Sequence, residues 1–138
     1  VAALAFVVAA APAAQAGAGD ASDLKGTWIG TYSGYDTDGY QSGQEKLVIT
    51  QVKGSSAKGT WQYRTSAKKK WSKPLPMTLS VYDQETTQDD GLVDYISGGD
   101  ELGVYTGKYD SSDDTLTLAY VSISQDVMTL TMELNRRK

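Results

Sequence analysis

With 138 residues, a formal net charge of −4 and neither cysteine nor histidine, the chain lacks disulfides, thiol nucleophiles and the imidazoles that serve most zinc, copper and haem sites. Its acidic balance, 17 Asp and Glu against 13 Lys and Arg, argues against a nucleic-acid partner, because phosphate binding runs on a basic footprint. Neither a metal nor a cofactor is expected.

Residues 1–19 contain no charged side chain, and the apolar run from Leu4 to Ala11 has signal-peptide length but is too short to cross a bilayer. Ala14-Gln15-Ala16 before Gly17 supplies the small-residue pattern of a cleavage site. The segment therefore reads as the remnant of a signal peptide over 1–19, cut near Ala16/Gly17, rather than as an Ala-rich helix packed on the domain. Residues 20–138 read as a single exported domain, secreted, extracellular or periplasmic, with no membrane span.

From Asp23 onward, strand-like stretches alternate with turn chemistry. The predicted strands are Lys25 to Gly34, Glu45 to Val52, Lys58 to Arg64, Pro74 to Tyr82, Leu92 to Ser97, Leu102 to Tyr109, Thr115 to Ser122 and Val127 to Asn135. Between them lie Gly, Asp, Ser and Lys-rich turns, among them Asp36 to Gly39, Gln88 to Gly91, Gly98 to Asp100 and Asp110 to Asp114. Connections this short leave no room for crossover helices, so consecutive strands pair antiparallel, and a one-faced meander of this length closes on itself. The expected fold is all-β, an eight-stranded antiparallel up-and-down β-barrel with little or no helix beyond the signal segment. Trp28, Gly30, Tyr32 and Gly34 share one face of the first strand, Trp61 and Tyr63 one of the third, and Leu116, Leu118 and Tyr120 one of the seventh. Strands two, five and six leave their inward parity open.

Gly26-Thr27-Trp28 at the head of the first strand, with Arg136 just past the last, resembles the pair that marks the calycin superfamily of lipocalins, fatty-acid-binding proteins and avidins. The resemblance implies a closed barrel end plugged by Trp28, with Arg136 packed across the ring by cation–π and stem contacts. Arg136 keeps the parity of Met128 to Leu134, so its stem falls on the Trp28 side. The Gly and Asp-rich stretch from Tyr35 to Gly43 differs from the helical lid of fatty-acid-binding proteins. Thr106 to Ser111 is similar to an avidin strand and turn, yet three Trp do not furnish a biotin box. A bacterial lipocalin-like secreted barrel is the nearest description.

Nine Tyr against one Phe is an unusual ratio, and buried phenols need hydrogen-bond partners, so the tyrosines either fill the barrel or line a pocket. The expected ligand site is Tyr32, Trp61, Tyr63, Tyr105 and Tyr120. Asp94 joins it as polar anchor if it points inward with Leu92 and Ile96, and is solvated if Val93 and Tyr95 do. Asp36, Asp38 and Glu45, and likewise Asp110, Asp113 and Asp114, resemble fragments of a calcium loop but do not complete its ladder of oxygens, so both read as turns. Lys68, Lys69, Lys70 and Trp71 form a basic tip that is either a solvated hairpin or a docking point for an anionic surface. The adjacent carboxylates Asp89/Asp90, Asp100/Glu101 and Asp113/Asp114 sit in turns and point apart, and no nucleophile elbow or phosphate loop occurs, so no enzyme is expected. The leading expectation is a secreted, non-enzymatic barrel binding a small apolar, aromatic or amphipathic molecule. The alternative is an interaction or inhibitor module with a filled core, reading a protein or cell-surface polymer through its loops.

Overall fold

The computed structural model describes residues 19–82, 93–122, 124 and 127–138. The signal-peptide reading of residues 1–18, and the turn residues Gln88 to Gly91, Gln125 and Asp126, lie outside the described residues. Eight strands follow one another: β1 (Gly26–Asp36), β2 (Gly39–Lys53), β3 (Ser56–Arg64), β4 (Leu75–Tyr82), β5 (Val93–Gly99), β6 (Gly103–Asp110), β7 (Thr115–Ser122) and β8 (Thr129–Arg136). Each pairs antiparallel with the next and β8 pairs with β1, so the sheet closes into an up-and-down barrel. The one helical element among the described residues is a 3-10 turn, Ser22–Leu24, just before β1.

The alternation of greasy and polar residues sets the walls. Trp28 and Tyr32 of β1, Met77, Leu79 and Val81 of β4, Leu116, Leu118 and Tyr120 of β7, and Met132 and Leu134 of β8 are all buried. The three ambiguous strands now have a parity. Glu45, Leu47 and Ile49 face inward from β2, Ile96 from β5, and Tyr105 and Tyr109 from β6, whose Val104 points out at 44% exposure.

Two boundaries differ from the sequence reading. β2 begins at Gly39 rather than Glu45, since Asp36 pairs with Gly39 across a two-residue turn and Tyr35 meets Tyr40 edge-on at 5.5 Å. Asp36 accepts the Asp38 N–H at 2.8 Å, so the Gly and Asp-rich text that reads as a loop is a hairpin tip on extended arms. Gly98 and Gly99, read as turn residues, belong to β5 and pair with Leu79 and Thr78.

One end of the barrel is sealed. Leu24, Ala21 and Trp28 are buried there, and the Trp28 indole N–H donates to the Leu24 carbonyl at 2.8 Å. The Arg136 guanidinium lies 4.3 Å from the Trp28 ring centre, and Tyr109 meets that ring edge-on at 5.6 Å. Arg136 pairs with Asp114 at 3.0 Å and donates to the Lys25 carbonyl at 2.8 Å and to the Asp23 carbonyl. Trp28 and Arg136 are cross-strand partners on the seam where β1 meets β8. The same seam needs Gly30, because a Cβ there would lie 1.8 Å from the Glu133 carbonyl oxygen.

Candidate functional site

The opposite end, where β1 finishes and β8 begins, is open and holds a cavity of about 380 Å³. That volume lies within the range of small-molecule sites, about 300–1,000 Å³. Tyr32, Trp61, Tyr63, Tyr105 and Tyr120 all line it, so the structure brings together five of the residues that the alternation placed at one site. Their rings form a near-continuous wall. Tyr63 stacks on Trp61 at 5.8 Å, Trp61 meets Tyr120 at 6.4 Å, and Tyr120 meets Tyr105 at 4.7 Å. Leu75, Met128, Leu130 and Met132 complete the apolar side, while Tyr63, 43% exposed, stands at the rim.

Asp100, in the turn between β5 and β6, organises two of the phenols. It accepts the Leu102 and Gly103 backbone N–H groups at 2.7 and 2.8 Å, then the hydroxyls of Tyr105 at 3.1 Å and Tyr120 at 3.4 Å. Gly103 is where the Tyr120 ring rests, since a Cβ there would stand 2.4 Å from the ring carbon that bears the hydroxyl. Burial, and then the Asp100 charge, push the Tyr105 phenol far up and the Tyr120 phenol up to about 12. The Tyr32 phenol is raised too, by burial and then by Glu45 and Tyr63.

Glu45 is the functional residue that sequence reasoning missed. The acidic stretch grouped with it reads as a turn, whereas Glu45 sits on the inward face of β2 between Gly30 and Tyr63, 1% exposed, and lines the cavity. Burial, and then the Asp100 charge, raise its carboxyl to about 8. Among the described residues, its Oε1 and the buried indole N–H of Trp61 have no hydrogen-bond partner. The signal was the i, i+2 run Glu45, Leu47, Ile49, which reads as a buried face only once its parity is known.

Asp94 lies elsewhere. It shares a face with buried Ile96 and stands opposite Tyr109, at the sealed end and outside the cavity wall. The basic tip also divides. Lys68, Lys69 and Lys70 are exposed in the loop between β3 and β4, at the open end. Trp71 folds back onto the outer wall instead, 4.3 Å from the Arg64 guanidinium and 4.9 Å from the Lys46 ammonium. Ser72 anchors that fold, donating its N–H to the Tyr63 carbonyl at 2.8 Å and accepting the Tyr63 N–H at 3.0 Å. The two acidic turns are occupied locally: Asp36 accepts from Asp38 in the first, and in the second Asp110 accepts from Ser112 and Asp114 from Arg136 and Tyr109. Among the described residues no acidic cluster is placed to hold a metal ion, and no helix is long and apolar enough to cross a membrane.

No protein-family model matches the chain, and no curated protein does. Solved structures do. The chain is similar to Rv2717c from M. tuberculosis, with a TM-score of 0.56 and 16% identity over 85% of this chain and 94% of that one. It is also similar to the S-type phycobiliprotein lyase CPES from Guillardia theta, with a TM-score of 0.52 and 12% identity over 84% of this chain and 89% of that one. Likeness at such low identity speaks to architecture alone, and the architecture is a closed, eight-stranded antiparallel barrel.

Proposed function

We propose that the protein is an exported, non-enzymatic carrier that holds one small, partly aromatic molecule in the open end of its barrel, in the manner of a lipocalin. The observation that carries this reading is the cavity itself, about 380 Å³ and walled by five aromatic rings, where a filled-core module would have packed side chains. Two buried polar atoms on its wall, Glu45 Oε1 and Trp61 Nε1, have no partner among the described residues, which in a native interior calls for an explanation such as a guest. Catalysis is the competing reading, since one similar barrel is a lyase. Against it stands the state of the other carboxyls described near the cavity: Asp100 is taken up by four hydrogen bonds, and Asp36 accepts the Asp38 N–H and the Gln41 side-chain amide. The docking alternative loses Trp71, already covered by Arg64 and Lys46.

The test is a titration with 6-propionyl-2-(dimethylamino)naphthalene, an uncharged fluorophore whose emission shifts to the blue in apolar surroundings. Saturable binding of a single equivalent is expected. Leu130→Trp, which plugs the cavity from its wall, should abolish that binding while leaving the barrel folded. Equal emission shifts in the plugged and unplugged proteins would overturn carriage.

A further inference from the structure

We propose that the guest is a cation: an amine or quaternary ammonium on an apolar or aromatic body, seated with its nitrogen against Glu45. The inference rests on the carriage reading and names the chemistry of that site.

The charge balance of the cavity points one way. Among the described residues its wall contains the carboxyls of Glu45 and Asp36 and no Lys or Arg. Asp100, hydrogen-bonded to the two wall phenols Tyr105 and Tyr120, adds a further negative charge nearby. Arg136, the cation at the sealed end, is held there by Asp114 and two backbone carbonyls. A carboxyl that is 1% exposed would ordinarily be matched by an internal cation, yet among the described residues Glu45 Oε1 has no hydrogen-bond partner. Its neighbour across the β1–β2 ladder is Gly30, which has no side chain to lay over it.

The walls agree with the floor. Trp61, Tyr63, Tyr105 and Tyr120 stack or tilt against one another, offering π-faces to whatever enters. An indole and phenols beside a desolvated carboxylate make the setting in which cation–π attraction is strongest. A neutral guest would gain the same apolar contact but would leave the carboxyl unmatched.

Proton linkage supplies a readout. The groups facing Glu45 are Tyr32 from β1, Tyr63 from β3, Tyr105 from β6, Tyr120 from β7 and Asp100 from the β5–β6 turn, while β8 presents Met132 and β4 presents Leu75. Because the Tyr32, Tyr105 and Tyr120 phenols are all raised, they stay neutral through the range in which Glu45 titrates. With Glu45 protonated below about 8, a cation must displace that proton in order to bind.

The experiment compares (2-naphthylmethyl)trimethylammonium with its uncharged carbon isostere, 2-neopentylnaphthalene, by calorimetry on the full chain. At about pH 9 the cation should bind at least about tenfold more tightly than the isostere, a preference that shrinks by up to about tenfold per pH unit below about pH 8. In buffers of different ionisation heat near neutral pH, close to one proton should be released per cation bound, a measurement that needs no variant. Glu45→Gln should remove the preference and the proton release while retaining the isostere. Equal affinity for both probes, or a preference that survives Glu45→Gln, would overturn the cationic assignment and leave carriage standing. Failure of both probes to bind would overturn carriage and the cationic assignment together.

Discussion

The two ends of the barrel draw on similar residues and treat them differently. At the sealed end the Trp28 indole has a carbonyl acceptor, and Arg136 has Asp114, two carbonyls and the Tyr109 hydroxyl. At the open end the Trp61 indole N–H has no partner among the described residues, and neither does Glu45 Oε1. A buried polar group left unpaired costs about 1–3 kcal/mol, so the open end carries a stability deficit that the sealed end does not. The Trp28 indole is thus locked by its partners, whereas the Trp61 indole is left facing the cavity.

The largest effect that can break this comparison is on the indoles. Trp28→Ala is expected to destabilise the barrel by about 3–5 kcal/mol in urea unfolding, through cavity formation and the stranding of Arg136. Trp61→Ala removes a half-buried ring with no hydrogen bond to lose, and should cost less than about 2 kcal/mol while impairing uptake of the naphthalene probes. Similar losses for the two would erase the distinction between the ends.

The next effect is on pH dependence. Glu45 holds its proton up to about 8 in the folded barrel but releases it near the ordinary value of 4.5 once unfolded. Relative to Glu45→Gln, the wild type therefore has its full stability below about 4.5 and loses it as pH rises toward about 8, at up to about 1.4 kcal/mol per pH unit, with no further change above. Unfolding curves of the two proteins across that window check it, and parallel curves would mean that the carboxyl is hydrated in the free protein. The smallest effect is at the rim: replacing Lys68, Lys69 and Lys70 together by Ser should shift stability by less than about 0.5 kcal/mol and leave the naphthalene titration unchanged.

Which parts were legible follows from the same physics. Strands with a strict two-residue alternation, such as Leu116, Leu118 and Tyr120, betray both their path and their inward face, and with them most of the aromatic wall. Trp28 and Arg136 could be matched because parity carries across a ladder. Glu45 was hidden because a carboxylate inside a barrel contradicts the usual sorting of charge to water. The long arms of β1 and β2 were hidden because Gly, Asp and Ser read as turns, whereas cross-strand pairing by Tyr35 and Tyr40 holds them extended. Asp94 could not be assigned because Leu92 and Ile96 on its own face are as apolar as Val93 and Tyr95 on the other, so alternation does not choose the inward side.

The seam between β1 and β8 has a practical corollary. The Arg137 N–H donates to the Thr27 carbonyl at 2.8 Å, so the polypeptide enters and leaves the cylinder side by side, at the pole away from the aromatic mouth. A dye coupled at Ser22 or Lys138 therefore sits behind the barrel, and the open end stays facing the solution.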